Sequence, residues 1–259
     1  MTERGVVVDL DGTVLSGESL LDGAADALAD LRDAGRGVLF LTNNPTRPPA
    51  EYAQRLARLG VDARPEEVLT ATSATIDYLR EHHADESVFA IAEESVTNQL
   101  RDAGISLVAD ARRADTVVVG YDREFEYTDM IAALRAFGAG ADALVGTDPD
   151  ITVPTPDGPV PGSGSIINAV AGVVERDPDA VLGKPSDVTA RLALDRLDLP
   201  PAECVLVGDR LDTDIEMGNR VGMTTVLVRT GVTDDETLAA STIQPDYVRD
   251  SLADARDLL

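Results

Sequence analysis

Two acidic residues, Asp9 and Asp11, follow the first apolar run of the chain at residues 6–8 and precede Gly12. Residues two apart in an extended chain project to the same side, and glycine lets the backbone turn sharply after them. Carboxylates held this close repel each other unless a cation lies between them, and Mg²⁺ prefers such oxygen ligands. The pattern indicates a nucleophile or a metal site, although a solvated strand end with a glycine turn would have the same sequence. We expect Thr13 to fix the turn through a hydrogen bond from its hydroxyl to the backbone.

Only one of the 22 basic residues is a lysine, Lys184, which lies in the segment of residues 183–186. The other 21 are arginines. An ammonium is a compact charge that suits a single phosphoryl oxygen, whereas the planar guanidinium prefers bidentate partners. We therefore predict that Lys184 binds phosphate. The alternative is that the position of a single lysine is chance.

A second apolar run, at residues 39–41, also ends in polar residues. It precedes Thr42, Asn43 and Asn44, whose hydroxyl and amides are neutral groups able to bind phosphate oxygens. For Asn44, which precedes a proline, building the loop is an equally good interpretation.

A third apolar run, at residues 205–207, precedes Gly208, Asp209, Asp212 and Asp214. Ligands of open parallel sheets bind beyond the carboxyl ends of the strands. Three such strand ends would bring carboxylates, a hydroxyl and amides to one sheet edge. That set of groups favours Mg²⁺ and a phosphoryl group as ligands, with one carboxylate available for attack.

The order of these motifs resembles that of the haloacid dehalogenase superfamily of phosphohydrolases. The resemblance rests on the acidic pair, the Thr-Asn-Asn strand end, the Gly-Lys-Pro segment and the acidic segment after the third run. Five segments look like the NagD-type, 4-nitrophenylphosphatase-like branch: residues 119–123, 147–150, 161–166, 208–214 and 245–248. The similarity spans nearly the whole chain.

The resemblance implies an α/β fold with a Rossmann-like parallel sheet core and an inserted α/β cap domain. The interval between Asn44 and Lys184 exceeds what one strand-helix-strand crossover needs, which agrees with an insertion. We place the catalytic core at residues 1–78 and 180–259 and the cap at residues 79–179.

Alternation of apolar runs with amphipathic segments also favours a parallel sheet covered by helices. Core strands are predicted at Val6, Val38, Val205 and Thr224, with helices at residues 23–34, 49–59, 187–197 and 212–221. Cap strands are predicted at residues 88–92, 116–120 and 143–145, with helices at residues 95–103, 128–137 and 165–174. The proline-rich residues 152–159 are predicted to form a loop.

The resemblance further implies the catalytic roles. Asp9 would be the nucleophile that forms an aspartyl-phosphate and would also be a ligand of Mg²⁺. Asp11 would bind Mg²⁺ through its backbone carbonyl, and its carboxyl group would act as general acid and base. Asp209 would complete the protein ligands of the metal.

Substrate-binding roles follow from the same resemblance. Thr42, Asn43 and Lys184 would stabilise the charge of the phosphoryl oxygens. Asp214 would orient water or Lys184 without binding the metal directly. Asn44 would likewise lie behind the residues that contact the phosphoryl group.

Four cap residues complete the predicted site. Tyr121, Asp122, Thr147 and Asp148 follow predicted cap strands and, by similarity to the branch, would contact the leaving group of the substrate. Turn formation is an equal alternative for them.

The predicted function is Mg²⁺-dependent hydrolysis of a small phosphomonoester metabolite. The alternative is a non-enzymatic phosphoacceptor or regulatory module derived from the same fold, since receiver domains also group acids, a threonine and a lysine at a sheet edge. The second acid at Asp11 and the long insertion favour the enzyme. Sugar phosphates, phosphoglycolate, nucleoside monophosphates and pyridoxal phosphate remain open as substrates.

The chain is strongly acidic, with a net charge of −25 and a sequence pI of about 4.2. Such a surface repels nucleic acid and anionic membranes, so we expect neither as a partner. We expect a cytoplasmic protein and leave a homodimer open. Acidity, arginine in place of lysine and 3% aromatic residues are typical of proteins from a salt-rich, halophilic cytoplasm, and an ordinary acidic mesophilic protein is the alternative. In molar salt the Debye length is about 3 Å, which screens the self-repulsion of the surface.

Overall fold

The computed structural model describes residues 5–155, 157–256 and 258, which divide into two structural units by their internal contacts. The first unit comprises the described parts of residues 1–42, 49–69 and 184–259. The second comprises the described parts of residues 43–48 and 70–183. The second unit therefore begins earlier in the chain than residue 79 and includes a short segment directly after Thr42.

The strands lie where apolar and β-branched residues run together, as their propensity for extended structure favours. In chain order they are β1 (Gly5–Asp9), β2 (Leu15–Ser16), β3 (Ser19–Leu20), β4 (Gly37–Thr42), β5 (Val68–Thr70), β6 (Val88–Ile91), β7 (Thr116–Val119), β8 (Ala143–Gly146), β9 (Thr152–Val153), β10 (Val160–Pro161), β11 (Ala180–Val181), β12 (Cys204–Gly208), β13 (Thr224–Val228) and β14 (Tyr247–Arg249).

The helices follow the amphipathic segments between these strands. In chain order they are α1 (Ala24–Asp33), α2 (Pro49–Arg58), α3 (Ala71–His82), α4 (Glu94–Asp102), α5 (Tyr127–Ala139), α6 (Ser163–Val174), α7 (Asp187–Leu197), α8 (Glu216–Val221) and α9 (Asp235–Ala240). A π-helical turn, Leu211–Ile215, directly precedes α8. Within the described residues, no helix is both long and apolar enough to cross a membrane.

The first unit contains a six-stranded sheet in the order β14-β13-β12-β1-β4-β5. β1 is buried along its whole length and pairs in parallel with both β12 and β4. This agrees with a continuous apolar run in a strand covered on both faces. Because parallel strands end at the same edge, Asp9, Thr42 and Gly208 lie together at the carboxyl edge of the sheet.

Helices of the first unit bury their apolar faces against this sheet. Leu28 of α1 and Tyr52 of α2 join Val8, Phe40 and Val207 in one buried cluster. Replacing a buried aromatic side chain such as Phe40 by alanine would cost roughly 3–5 kcal/mol of stability. This packing holds the strand ends that carry the acidic residues in place.

The second unit contains its own sheet, in the order β11-β8-β7-β6, with parallel pairing throughout. Its apolar cluster includes Val117, Leu144 and Ile167. Residues 152–153, the first two of the predicted loop, instead form β9, which pairs with β10 in an antiparallel hairpin. Residues 154–155 and 157–159 lie outside helices and strands, as predicted, and Pro156 lies outside the described residues. The predicted α/β class, with a parallel sheet core and an inserted α/β domain, is confirmed.

Candidate active site

Lys184 lies among acidic side chains in the first unit. Its Nζ donates a hydrogen bond to Oδ1 of Asp214 at 2.6 Å and another to Oδ1 of Asp9. All three side chains are buried. Asp9 ends β1, Asp214 lies in the π-helical turn after β12, and Lys184 lies shortly before α7. The fold thus joins groups that are distant in sequence into one ionic cluster.

The charges in this cluster do not balance. Burial alone would lower the pKa of Lys184, but the carboxylates of Asp214 and Asp9 raise it, so the ammonium keeps its proton. Burial raises the pKa of Asp9, which Lys184 lowers and Asp214 and Asp209 raise further. Burial, with a contribution from Asp214, raises the pKa of Asp209 to about 6. One ammonium therefore faces three carboxylates.

The arrangement of these carboxylates fits a divalent cation. One oxygen from each of Asp9, Asp209 and Asp214 lies within 4.8 Å of the others. Oδ2 of Asp9 is buried and has no hydrogen-bond partner within the described part of the chain. A buried acceptor left unpaired costs free energy, and hard oxygen donors with excess negative charge suit Mg²⁺. The donor set therefore fits the predicted cofactor.

Asp11 is placed differently from Asp9. Its side chain is exposed, and its carboxylate does not belong to the acidic cluster found among the described residues. An exposed carboxyl group at the sheet edge is accessible to substrate and to water. Thr13, which follows it, is fully buried, and its Oγ1 has no hydrogen-bond partner in the part of the chain described. The prediction that this hydroxyl fixes the turn is wrong, and the Gly12 backbone, with φ of +94°, makes the turn instead.

Asp209 is held by a loop that sequence reasoning missed. The backbone N–H of Val232 donates to Oδ2 of Asp209 at 2.8 Å, and Thr230 Oγ1 donates to the carbonyl of Gly12 at 2.6 Å. A Cβ atom on Gly231 would come within 1.8 Å of the Asp209 carboxylate, so only glycine fits there. The loop follows β13, and its signal in the sequence was a hydroxyl and a glycine after a fourth apolar strand.

The acidic residues after β12 separate into two environments. Asp214 is fully buried, and its Oδ2 accepts a hydrogen bond from the backbone N–H of Arg210 at 3.1 Å. A Cβ atom on Gly208 would lie 2.2 Å from Cγ of Asp214, so this close approach requires glycine. Asp212 instead is exposed and forms an ion pair with Arg210 at 2.9 Å. The π-helical turn produces this separation, and such turns are frequent at functional sites.

The predicted phosphate-binding segment crosses from one unit to the other. Thr42 is buried at the end of β4 in the first unit, whereas Asn43 and Asn44 group with the second. Asn43 is buried. Asn44 is exposed, and its Oδ1 accepts hydrogen bonds from the backbone N–H and the hydroxyl of Thr46 at 2.9 Å and 2.8 Å. This pattern favours the loop-building interpretation of Asn44.

The four predicted cap residues differ in exposure. Tyr121 and Asp122 are half-buried after β7, and a carboxylate oxygen of Asp122 accepts a hydrogen bond from the backbone N–H of Glu124 at 2.9 Å. Thr147 and Asp148 are buried after β8, and the Thr147 hydroxyl donates to the Asp148 carboxylate at 3.0 Å. The contacts of Asp122, Thr147 and Asp148 support turn and packing roles.

Two family models match this chain. One, described as haloacid dehalogenase-like hydrolase, matches residues 6–106, and a second, described as HAD-hydrolase-like, matches residues 181–255. The matched ranges include Asp9, Thr42, Lys184, Asp209 and Asp214.

Similar proteins are found among both sequences and solved structures. The acid sugar phosphatase of Staphylococcus haemolyticus is 36% identical over 244 residues, which cover 94% of this chain and 92% of that protein. The p-nitrophenyl phosphatase from Archaeoglobus fulgidus has a TM-score of 0.93 at 35% identity, with 100% of each chain covered. NagD from E. coli K-12 has a TM-score of 0.86 at 29% identity, with 98% of each chain covered. The similarity therefore includes both structural units.

Proposed function

Since this chain belongs to the haloacid dehalogenase-like hydrolases, we propose that it is a Mg²⁺-dependent phosphatase that cleaves a small phosphomonoester through an aspartyl-phosphate. The family predicted from the motifs is confirmed, and so is the prediction of an enzyme that hydrolyses phosphomonoesters. The observation that carries the proposed mechanism is the buried cluster in which Lys184 contacts Asp9 and Asp214 beside Asp209. The relatives are phosphatases by name, which disfavours the alternative of a non-enzymatic phosphoacceptor module.

Asp9 acts as the nucleophile in this proposal. Its carboxylate attacks phosphorus, the bond from phosphorus to the ester oxygen breaks, and an aspartyl-phosphate forms. The Asp9 side chain suits this role because it is buried, its position is set by Lys184, and one oxygen has no protein donor among the described residues. A hydrogen bond on each oxygen would lower its nucleophilicity.

Asp11 moves the protons in both half-reactions. It first gives a proton to the leaving oxygen and then takes one from the water that hydrolyses the aspartyl-phosphate, so that Asp9 is regenerated and inorganic phosphate leaves. Its exposed position supports this role, because both the leaving group of a substrate and the attacking water can reach the side chain.

Lys184, Thr42 and Asn43 bind the phosphoryl oxygens. The ammonium and the neutral donors stabilise negative charge that spreads over these oxygens as the bond to the leaving group breaks. Asp214 keeps Lys184 charged and oriented through the 2.6 Å hydrogen bond.

Asp9 and Asp209 would hold Mg²⁺ together with the backbone carbonyl of Asp11, and Asp214, whose carboxylate lies near theirs, would orient water or Lys184. When bound, the ion neutralises charge between the substrate and the acidic cluster. Its binding is measurable without activity, because a ligand that binds only the folded state stabilises it by about 2.7 kcal/mol at 100 times its Kd. We expect Mg²⁺ to raise the melting temperature of the wild type and to lose most of this effect in Asp209→Asn.

The substrate is a small phosphorylated metabolite, and sugar phosphates are the first class to test because a relative is an acid sugar phosphatase. A panel of phosphate esters, ranked by kcat/KM, would identify the preferred class. A flat ranking would indicate a broad-specificity phosphatase.

The mechanism is tested by chelation and by trapping. Hydrolysis of p-nitrophenyl phosphate should stop in EDTA and return with Mg²⁺, and acid quenching with labelled substrate should leave phosphate on the peptide that contains Asp9. Asp212 is an exposed acid in the same segment as Asp214. The Asp212→Asn variant is the control for both tests, because it should hydrolyse p-nitrophenyl phosphate and trap labelled phosphate to the same extent as wild type. Activity that survives chelation, or label on another peptide, would contradict the mechanism.

A further inference from the structure

Asp148 is a buried acid of the second unit that the proposed mechanism does not use. Its Oδ2 accepts hydrogen bonds from the hydroxyls of Thr147 at 3.0 Å and Ser163 at 2.5 Å, and its Oδ1 accepts one from the backbone N–H of Asp150 at 3.3 Å. None of these donors carries a positive charge. Two donors from the segment after β8 and one from the start of α6 therefore hold one carboxyl group in a single orientation.

Gly183 packs in a narrow slot beside Asp148. A Cβ atom on Gly183 would lie 2.9 Å from Cβ of Asp148 and 2.8 Å from Oδ1 of Asn43, both closer than real Cβ atoms approach their neighbours. The backbone of Gly183 also has φ of +70°, which favours glycine. We name this close contact of Gly183 with Asn43 and Asp148 the Gly183 slot. All three residues belong to the second unit.

Two chain connections leave the Gly183 slot. Gly183 is bonded to Lys184, where the first unit resumes, and Asn43 is bonded to Thr42, where the first unit stops. The residues assigned to phosphate binding therefore lie at or directly beside the slot. A shift of Gly183 would move the backbone nitrogen of Lys184, and a shift of Asn43 would move the backbone carbonyl of Thr42, because a single peptide bond joins each pair.

We propose that Asp148 is a positioning residue for phosphate binding, acting through the Gly183 slot on Asn43 and Lys184. It does not touch the substrate in this proposal, in contrast to the contact role that the sequence resemblance implied. The proposal rests on the proposed phosphatase function, since its readout is the affinity of the active site for phosphate. Ser163 and Thr147 support the same position by orienting the Asp148 carboxyl group.

The first experiment fills the slot. Gly183→Ala adds a methyl group against Asp148 and Asn43, and the inhibition constant of inorganic phosphate should rise at least about tenfold, in line with a lost charged hydrogen bond. Gly104→Ala is the matched control, because Gly104 also belongs to the second unit and has φ of +81° but meets nothing within 4 Å. Both variants place an alanine at a positive φ and so share the same kind of backbone strain. Only Gly183→Ala should weaken phosphate binding.

The second experiment replaces the Asp148 side chain, which forms one side of the Gly183 slot. Asp148→Ala removes all three hydrogen bonds and should raise the phosphate inhibition constant and KM several-fold more than it lowers kcat. Asp148→Asn keeps the shape and an amide oxygen as acceptor, and it should restore values within about twofold of wild type. Asp110→Ala, which removes an exposed acid from the same unit, should change neither constant.

The outcomes separate the positioning role from the proposed function. If wild type hydrolyses phosphomonoesters but Gly183→Ala and Asp148→Ala bind phosphate as tightly as wild type, the positioning role is wrong. If wild type itself shows no hydrolysis, the proposed function fails instead. If either variant does not fold, Ser163→Ala is the milder test, because it removes only one hydrogen bond to Asp148. A phosphate inhibition constant equal to that of wild type in Ser163→Ala would also overturn the inference.

Discussion

The buried acids of the two structural units, a cluster in the first and Asp148 in the second, differ in what faces them. In the first unit, Asp9 and Asp214 share the ammonium of Lys184, and Asp209 lies close by. In the second unit, the donors to Asp148 among the described residues are two hydroxyls and one backbone N–H. Both follow parallel strands, so strand position alone does not decide how a buried acid behaves.

The difference lies in charge compensation. Burying an ionised carboxylate is costly unless it is paired, and an unpaired one takes up a proton instead. Burial, with Asp150 nearby, raises the pKa of Asp148 to about 7, so this acid is half protonated near neutral pH. The first cluster contains a cation and a further excess of negative charge, which suits a second cation. One group is equipped for ionic chemistry and the other for holding the backbone.

The largest expected effect comes from removing the nucleophile. Asp9→Asn should lower kcat by roughly 10⁴-fold or more, because an amide cannot form the phosphoryl intermediate. Its melting temperature without Mg²⁺ should equal or exceed that of wild type, since one of three mutually repelling carboxylates is gone. Steady-state kinetics and thermal melting test both statements. A variant that is both active and less stable would show that Asp9 is a structural acid like Asp148.

The next effect tests whether the cation must be a lysine. Lys184→Arg should lower kcat/KM by roughly 10²-fold, because a planar guanidinium does not fit between the Asp9 and Asp214 oxygens. Arg210→Lys, which alters the exposed pair with Asp212, is the control and should change kcat/KM less than about twofold. Equal activity of the Lys184→Arg variant would mean that the single lysine of the chain is a coincidence.

A third effect concerns stability and pH in the second unit. The folded-state pKa of Asp148, about 7, lies above the ordinary value of 3.8, so the folded protein binds the extra proton between these values. Stability therefore falls as pH rises from about 4 to 7, by an amount of up to about 4 kcal/mol. Asp148→Asn should flatten this part of the profile in urea unfolding at pH 4.5 and 7.5. If the free energy of unfolding of Asp148→Asn falls as much between pH 4.5 and 7.5 as that of wild type, Asp148 is not the cause of the pH dependence.

The smallest expected effect is a rise in melting temperature with salt, which acts on exposed charges more than on buried ones. The chain has a net charge of −25, and molar KCl should raise its melting temperature by several degrees through screening of surface repulsion. Screening acts weakly on buried groups, so the difference in melting temperature between Asp9→Asn and wild type should be the same in low and high salt. Equal wild-type midpoints in both salts would contradict the halophilic interpretation.

Much of the fold was predictable because its strands are short apolar runs between clear turn signals. The predicted helix at residues 187–197 has the bounds of α7, and the predicted strands in both units are present. The small hairpins and the π-helical turn were not predicted. Their formation depends on pairing and packing with other segments, and periodicity within a window of sequence does not report such contacts.

The candidate site was predictable to a different degree in each unit. The strand-end rule identified Asp9, Thr42 and Asp209, whose positions follow from parallel pairing. It did not distinguish Asp212 from Asp214, because spacing alone does not reveal that one side chain is exposed and the other buried. It also missed Gly231, whose role depends on the close approach of Asp209.

Residue types and their order along the chain were enough to determine the kind of chemistry, since a paired acid, a single lysine and strand-end donors restrict the reaction to a few classes. Only the tertiary structure decided which acids share a cation and which are left with hydroxyl donors. The physical reason is that burial and neighbouring charge set the protonation of a carboxyl group, and both arise from contacts between segments that lie far apart in the sequence.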